Sequence, residues 1–283
     1  MVIESLIQRA AQDLIKSKYA IALTGAGMST ESGIPDFRGP NGVWTKNPEA
    51  ERMAYQTYSI FLNNPVVYWE IRLTQPYMIS GIEDARPNPG HYALFELEQL
   101  NIIKGVVTQN IDGLHVKAGN RRVMEFHGSV SKLRCVSCGA RFNLEEYDLE
   151  ALRVAKQLPP ICNKCNSPLK SDVVHFNEPI PSDIVQESME EAYRCDLMLI
   201  CGTSAVVYPF AELPRIARQR GMELRRQQVP DNSSENYAPR VIIIEVNADR
   251  TPLTTGGISD YILQGNTGEI LPEIVKAVSK ELS

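Results

Sequence analysis

Two pairs of cysteines stand out because only two residues separate the members of each pair. At this spacing two thiolates can bind one ion from the two sides of a tight turn, and two such pairs complete the tetrahedral shell that zinc prefers. A full shell of thiolates leaves no open position for a catalytic water, so the metal would be structural. We predict one zinc ion per chain, held by Cys135, Cys138, Cys162 and Cys165.

The alternative for these cysteines is four unrelated thiols. The 23 residues between the pairs (139–161) slightly exceed the usual spacing of about 15–20, an excess that a loop can absorb. The remaining cysteines, Cys195 and Cys201, flank a short apolar run and are interpreted as buried core thiols.

A short apolar run at residues 19–24 ends in Gly25-Ala26-Gly27. A buried strand that ends in two glycines lets the backbone approach a pyrophosphate, and the start of a following helix favours the negative charge. An ordinary strand-to-helix turn would contain the same glycines. No acidic residue ends a second strand about 20 residues later, where a hydride-transfer dehydrogenase would need one for the ribose. We interpret the turn as a phosphate-binding segment and disfavour that class of enzyme.

The nine residues 31–39 combine a proline, two glycines and the pair Asp36 and Arg38 with an aromatic residue between them. A loop exposed only to water has no physical need for Phe37, whereas a lid over a nicotinamide-ribose does. We therefore expect this segment to close over a bound dinucleotide.

Polar residues also follow two other apolar runs, where predicted strands end. Gln109 and Asn110 could bind ribose hydroxyls and Asp112 could accept from a carboxamide, although an Asx turn that caps the next helix would use the same residues. His127 suits a general base near neutral pH, although a lone histidine is commonly only packed or at the surface. Taken singly, neither cluster establishes a site.

Two more predicted strand ends carry small or polar residues that suit phosphate or ribose, namely Gly202–Ser204 and Asn247, and a further polar cluster, Gly265–Thr267, opens the last predicted helix. In open α/β sheets ligands bind at the carboxyl ends of the strands. Six such clusters at one sheet edge are difficult to explain as separate turns. The combination favours a nucleotide site, whereas His91, His115 and His175 are interpreted as packed or surface residues.

The rest of the chain predicts the elements that must position these residues. Strands alternate with helical patterns, which predicts a parallel sheet covered on both faces. The predicted strands are residues 19–24, 102–108, 122–126, 197–201 and 241–246, and the helices include 3–16, 91–100, 184–193 and 268–282.

Three segments interrupt this alternation. Residues 40–88 are rich in aromatic residues with helical patches, residues 128–172 contain the cysteine pairs, and residues 221–240 are polar and predict a surface loop. We therefore predict an α/β fold, with a Rossmann-like parallel sheet domain and an inserted small domain made of a zinc-ribbon module plus a helical lobe. The large domain would comprise residues 1–39, 89–127 and 173–283, the lobe 40–88 and the zinc module 128–172.

Composition excludes several classes of partner. A net charge of −5 gives no counterion release on DNA, so direct nucleic-acid binding is not expected and basic protein tails are a more natural partner. The N-terminus has charges throughout and no apolar core of a signal peptide, and no apolar run reaches the length of a membrane span. We expect a protein of the cytoplasm that does not bind membranes.

The segments described above resemble the sirtuin family, and they occur in the family's order along essentially the whole chain. The resemblance rests on residues 25–39, residues 108–115, the pair His127-Gly128, the four cysteines and Gly202–Ser204. It implies a cleft between a large and a small domain, in which NAD meets an acyl-lysine peptide. The implied activity is NAD-dependent removal of acyl groups from protein lysine, which gives nicotinamide and O-acyl-ADP-ribose.

The resemblance also implies roles for individual residues. The glycine turn and Ser204 would hold the NAD phosphates, Phe37 would shield the reaction centre, and His127 and Asn110 would be catalytic. The residues expected to contact NAD are Gly25, Ala26, Gly27, Ser29, Glu31, Asp36, Phe37, Arg38, Trp44, Gln109, Asn110, Ile111, Asp112, Gly202, Thr203, Ser204, Asn247, Ala248, Asp249 and Thr267. Those expected to contact the peptide are Val174, Phe176, Asn177, Glu178 and Val206.

The segment 173–178 is similar to the family's peptide-binding strand, to which an extended substrate would add by backbone hydrogen bonds. Asn177 stands where the family usually has glycine, which narrows the approach of another backbone. Sirtuins that prefer acidic acyl groups resemble one another in a Tyr-x-x-Arg pair in the helical lobe. In residues 68–77 no tyrosine precedes an arginine by three, so Arg72 is interpreted as an exposed helix-surface residue and acetyl as the preferred group.

Two alternatives remain open at this point. A sirtuin-like NAD glycohydrolase or mono-ADP-ribosyltransferase would give the ribose to water or another nucleophile, and would consume NAD without an acylated peptide. A non-catalytic NAD-sensing module would need no base, so the presence of His127 and Asn110 argues against it.

Overall fold

A computed structural model describes residues 2–37, 39, 42–74, 81–82, 84–227 and 241–283. In these ranges no helix combines the length and the apolar character that crossing a membrane requires.

The centre of the fold is a six-stranded sheet in which each neighbouring pair of strands is parallel. All five predicted strands are present, to within a residue or two at their ends. In spatial order the strands are β3 (Val123–Glu125), β2 (Ile103–Thr108), β1 (Ala20–Thr24), β7 (Leu197–Cys201), β8 (Ile242–Asn247) and β9 (Tyr261–Gln264).

Helices cover both faces of this sheet, as the alternation of strands and helices predicts. In β1 the side chains alternate, so that Ala20 and Ala22 join one apolar core while Ile21 and Leu23 join the other. The strand is buried throughout, which is why its sequence is continuously apolar. The first core is closed by α1 (Val2–Lys16), α5 (Pro89–Gln99) and α11 (Thr267–Leu282), and the second by α8 (Ser182–Arg194) and α9 (Glu212–Gln227).

Two sequence predictions about this domain were wrong. The edge strand β9 was not predicted, because it is short, only partly buried and ends in the exposed Gln264. Residues 221–227 are helical rather than part of a loop, since Leu213 and Ala217 anchor the start of α9 and the polar residues simply continue the helix into solvent. The remainder of the predicted loop, 228–240, lies outside the described residues.

The helical lobe and the cysteine-containing segment share one apolar core. Trp69 of the lobe is fully buried, and its indole N–H donates to the carbonyl oxygen of Leu169 at 2.9 Å. The lobe contains α2 (Val43–Lys46), α3 (Pro48–Asn63) and α4 (Pro65–Thr74). The other segment contains the antiparallel strands β5 (Arg141–Asn143), β4 (Lys132–Cys135) and β6 (Leu169–Ser171), with α7 (Leu149–Val154).

The small antiparallel sheet is joined to the large one at Gly128, directly after β3. The residue has a φ of +74°, and a Cβ added to it would lie 2.1 Å from the carbonyl oxygen of Asp172. The two chain segments that leave and re-enter the large domain therefore touch backbone to backbone at this point. Two short helices, α6 (Leu114–Ala118) and α10 (Pro252–Thr255), follow strand ends on the same side of the large sheet.

We predict that Gly128→Ala lowers the free energy of unfolding by roughly 2–5 kcal/mol, because strained backbone and overpacking add together. The matched control is Gly257→Ala, which has a φ of +68° but no atom within 4 Å of the added Cβ. This control should cost only about 1–2 kcal/mol. Equal losses for the two variants in thermal or urea unfolding would contradict the backbone contact.

Candidate functional site

The six strands of the large sheet all end at one edge, and each end leads into one of the predicted polar clusters. The order of the strands reverses between β1 and β7, which is the point where open α/β sheets bind ligands. The polar clusters therefore lie at one edge of the sheet, as the sequence predicts.

The glycines after β1 serve a contact that the sequence did not reveal. The N–H of Gly27 donates to the carbonyl oxygen of Gly202 at 2.8 Å, and a Cβ on Gly27 would lie 2.9 Å from the Cα of Gly202. A Cβ on Gly202, whose φ is +60°, would lie 2.2 Å from the backbone nitrogen of Met28. These glycines are therefore required for two loops to pack against each other, whatever ligand they also hold.

Asn110 and Asp112 form a buried polar cluster with Ser29 beside the glycine turn. The amide nitrogen of Asn110 donates to the hydroxyl oxygen of Ser29 at 3.0 Å, and that hydroxyl donates to Asp112 at 2.7 Å. The other carboxylate oxygen of Asp112 accepts from the N–H of Leu114 at the start of α6, at 2.9 Å. Burial raises the pKa of Asp112 above its ordinary value of 3.8, and these hydrogen bonds oppose the shift.

The imidazole of His127 lies half-buried at the end of β3, and a hydrogen-bond partner determines which of its nitrogens carries the proton. Nδ1 lies 3.2 Å from the carbonyl oxygen of Gln109. Because a carbonyl oxygen can only accept, the proton resides on Nδ1 and the lone pair on Nε2. Burial lowers the pKa of His127 below 6.5, against the opposing effect of this hydrogen bond, so the ring is neutral near pH 7.

Four aromatic rings connect the predicted lid to the predicted peptide segment. The ring of Trp44 lies 4.6 Å from that of Phe37 and 5.4 Å from that of Phe176, centroid to centroid. Phe176 also stacks on Tyr55 of α3, at 4.2 Å. Sequence analysis did not single out Tyr55, since an aromatic residue in a helical patch carries no signal of its partner.

The segment 173–178 differs from the predicted strand. It forms no strand in either described sheet and turns at Phe176 and Asn177. The N–H of Val174 donates to the carbonyl oxygen of His127 at 2.8 Å, which holds the segment beside the histidine. Asn177 is exposed with a φ of +65°, a conformation that asparagine tolerates better than most residues, so it replaces a glycine here without a burial conflict.

Glu178 ends this segment, and its side chain faces the small sheet. It forms ion pairs with Arg134 and, at 3.1 Å, with the fully buried Lys170. Arg134 also lies 3.2 Å from Asp172. The predicted peptide contact of Glu178 therefore competes with a buried ion cluster, which ties the segment to β4 and β6.

On the other side of the reversal point, the predicted residues differ in exposure. Asn247 and Thr267 are buried, whereas Ser204, Val206, Ala248 and Asp249 are exposed. The hydroxyl of Thr267 is buried without a hydrogen-bond partner among the described residues, a polar atom that a ligand could satisfy.

Among the described residues, few of the hydrogen bonds of the predicted lid segment connect it to other parts of the site. Glu31 reaches the start of α11, where its carboxylate accepts from the N–H of Gly268 at 2.7 Å. Asp36 accepts from the N–H of Gly39 at 3.0 Å. Ile111 and Phe37 are both half-buried and pack against the same small apolar cluster. Arg38 lies outside the described residues.

The four cysteines lie together as predicted, with their sulfur atoms all within 4.8 Å of one another. Two of the Sγ–Sγ distances are 3.4 and 3.7 Å, too long for the roughly 2.05 Å of a disulfide. Tetrahedral zinc with bonds of about 2.3 Å would place the sulfurs about 3.8 Å apart. The geometry therefore fits a zinc ion, and Cys195 and Cys201 are buried elsewhere as predicted.

The other histidines have the packed positions that we predicted. His91 and His115 are buried with their ring centroids 4.8 Å apart, and burial lowers the pKa of His91 to about 4. His175 is half-buried, and its Nε2 lies 3.2 Å from the hydroxyl of Tyr68. An additional residue that carried a sequence signal is Glu245, a charged residue inside the apolar run 241–246, which is fully buried.

Comparison with known proteins places this site in a family. The family model described as the Sir2 family matches residues 25–209. A NAD-dependent protein deacylase of Thermococcus kodakarensis is 41% identical over 273 residues, 96% of each chain. A NAD-dependent protein deacetylase of Pyrobaculum aerophilum is 37% identical, covering 95% of this chain and 93% of that protein.

Solved structures agree with the sequence comparison. A Sir2 homologue in complex with NAD superimposes with a TM-score of 0.72 at 38% identity, over 99% of this chain and 95% of that one. A Sir2 variant with a deacetylated p53 peptide and 3′-O-acetyl-ADP-ribose superimposes with a TM-score of 0.71 at 30% identity, over 97% and 98%. Because the family model matches residues 25–209 and relatives at 37–41% identity match nearly the whole chain, this chain belongs to the Sir2, or sirtuin, family.

Proposed function

We propose that this protein removes acyl groups from lysine side chains of proteins in a reaction that consumes NAD. The observation that carries the proposal is the position of His127, a neutral imidazole at the sheet edge next to the Asn110–Asp112 cluster and the segment 173–178. Relatives named NAD-dependent protein deacylase and deacetylase over nearly the full length of the chain support the same activity.

NAD would lie across the edge of the large sheet, where β1 and β7 diverge. The turn 25–27 and Ser204 would face the phosphates, and the buried Asn110 and Asp112 would line the nicotinamide pocket. In this arrangement Asp112 accepts from the carboxamide, while Phe37 covers the ribose after nicotinamide has left.

The acyl-lysine would enter between the large domain and the small domain, past Phe176 and Asn177. Its carbonyl oxygen attacks C1′ of the ribose as nicotinamide leaves, and Nε2 of His127 takes the proton from a ribose hydroxyl so that the acyl group moves to the ribose. The hydrogen bond from Nδ1 to Gln109 supports this role, because it keeps the lone pair on Nε2. The bond between the acyl carbon and the lysine nitrogen then breaks, and one water molecule adds to the acyl carbon. The reaction therefore consumes one water and gives free lysine, nicotinamide and O-acyl-ADP-ribose.

Zinc would be held by the four cysteines as a structural ion. Two of its ligands, Cys135 and Cys162, belong to the apolar core that the small sheet shares with the lobe, and the four thiolates would fill the shell of the ion. We propose the domain division given above, with the lobe 40–88 and the zinc module 128–172 forming one small domain; the shared core around Trp69 supports it. None of the six cysteines forms a disulfide, which is compatible with the cytoplasm as its location.

The acyl group that the site prefers would be short and neutral. The sequence suggested that Arg72 is exposed on the helix surface, but the residue is half-buried. Its guanidinium lies 5.8 Å from the centre of the Trp69 ring. Tyr68 is buried against His175 and is four residues from Arg72, not three. Residues 75–77, the remainder of the compared stretch, lie outside the described residues.

We predict that His127→Ala reduces turnover by about 100- to 10,000-fold, the usual contribution of a general base, while NAD affinity stays nearly unchanged. His127→Asn is the matched control, because its amide can still donate to Gln109 but cannot take a proton. Both variants should be inactive in a peptide deacylation assay. If His127→Asn kept wild-type turnover, the histidine would be structural. For the wild type, kcat/KM should fall with acid only below pH 6.5, where the neutral base is lost.

Purified protein should contain close to one zinc ion per chain, and its removal should unfold the small domain and abolish activity. Cys138→Ser should lose the metal, whereas Cys195→Ser, a buried thiol outside the cluster, should retain it. Metal analysis with far less than one zinc per active chain would contradict the assignment.

An acetylated peptide should be a better substrate than its succinylated form by about 100-fold or more in kcat/KM, since a carboxylate without a partner is costly to bury. A butyryl peptide of similar length separates charge from size and should be accepted better than the succinyl peptide. A preference for succinyl would show that a cation faces the acyl tunnel. NAD loss that does not require any acylated peptide would instead favour a glycohydrolase.

A further inference from the structure

Glu245 is a charged residue in the middle of β8 whose side chain is fully buried. Its neighbours in the sheet are Ile200 and Ile262, whose side chains offer the carboxylate no polar group. No lysine or arginine of the described ranges forms an ion pair with it. It accepts instead from three hydroxyl groups and one amide, those of Thr251, Thr254, Ser259 and Asn247.

This set of donors satisfies the carboxylate fully. Oε1 accepts from the hydroxyls of Thr254, at 2.6 Å, and Ser259, while Oε2 accepts from the hydroxyl of Thr251 and the amide of Asn247. Each oxygen has two partners, which matches its two lone pairs. A carboxylate held in this way has a fixed orientation. Through its hydrogen bond with the amide nitrogen of Asn247, it also restricts the orientation of that side chain.

Asn247 lies at the edge where the strands end, and its amide has only one possible orientation. The side-chain nitrogen donates to the carbonyl oxygen of Thr203 at 3.2 Å and to Glu245 at 3.4 Å. Both partners can only accept, so the amide oxygen must point away from them. None of the described residues donates to that oxygen.

We propose that Glu245 is a positioning residue for NAD, which holds the amide of Asn247 with its oxygen presented to a hydroxyl of the adenosine ribose. The inference rests on the proposed use of NAD. An outward-facing acceptor at this place suits a donor in the ligand, and a ribose hydroxyl is the donor that a dinucleotide offers here.

The same geometry makes the site selective. A phosphate on the ribose presents acceptors only, which cannot bond to the oxygen of Asn247, and the buried negative charge of Glu245 lies directly behind it. The site therefore discriminates against NADP. A reversed amide, with its nitrogen outward, would donate to the phosphate, but Thr203 and Glu245 together prevent that reversal.

The test compares Glu245→Gln with wild type by calorimetric binding of ADP-ribose and by steady-state kinetics. The variant should bind ADP-ribose about tenfold more weakly, as expected for loss of a hydrogen bond to a charged group. Its KM for NAD should rise while kcat and the KM for peptide stay within about twofold, and its preference for NAD over NADP should shrink. Ser259→Ala, which removes a donor to the other carboxylate oxygen, is the matched control. It should lower the melting temperature without changing the KM for NAD.

Two further measurements separate positioning from mere stability. In the Asn247→Ala background, Glu245→Gln should have no additional effect on ADP-ribose affinity, because the residue through which it acts is gone. NAD analogues that lack either the 2′- or the 3′-hydroxyl of the adenosine ribose provide the second measurement. The analogue that lacks the hydroxyl bound by Asn247 should bind to wild type and to Glu245→Gln with the same affinity. Should Glu245→Gln not fold, Glu245→Asp keeps the charge but withdraws it from Asn247, and it should show the same selective rise in KM.

Full additivity of the two substitutions, or an undiminished effect with both deoxy analogues, would overturn the proposal. Failure of the wild type to bind ADP-ribose would instead refute the use of NAD. The two failures are thus distinguishable.

Discussion

The contact between the loop after β1 and the loop after β7 is the constraint on which the site depends. At Gly27 and Gly202 two backbones approach so closely that any side chain on either would collide with the other. This contact lies at the point where the order of strands reverses. It also fixes the distance between the polar residues that follow strands β1 to β3 and those that follow β7 to β9. In the proposed function both sets bind the same ligand.

Around that contact, the site is built from polar groups that are buried but hydrogen-bonded. Asp112 is held by Ser29 and by the start of α6, and Glu245 by hydroxyls and an amide. A buried carboxylate that has all its donors keeps a single orientation, whereas one without them would be expelled to water or protonated. The same requirement that makes these residues tolerable inside the protein therefore makes them accurate positioning devices.

The small domain reaches the site through a different type of interaction. The ion cluster of Arg134, Lys170 and Glu178 lies between the small sheet and the segment next to His127. Arg134 is adjacent to Cys135, so the ion cluster connects the four cysteines to the segment for which we propose peptide binding. A structural metal can in this way influence catalysis without touching the reacting atoms.

The sequence by itself determined the α/β class, five of the six strands, the four-cysteine cluster and the convergence of polar strand ends. These features depend on local patterns, namely apolar runs, glycine turns and short cysteine spacings, which carry their meaning within a few residues. The tertiary structure alone decided which residues contact each other across the chain. The stacking of Tyr55 on Phe176, the packing of Gly27 on Gly202 and the orientation of Asn247 by Glu245 join residues far apart in sequence. Such pairs leave no periodic signal, because the physical requirement that links them, close packing or a satisfied hydrogen bond, exists only after the chain has folded.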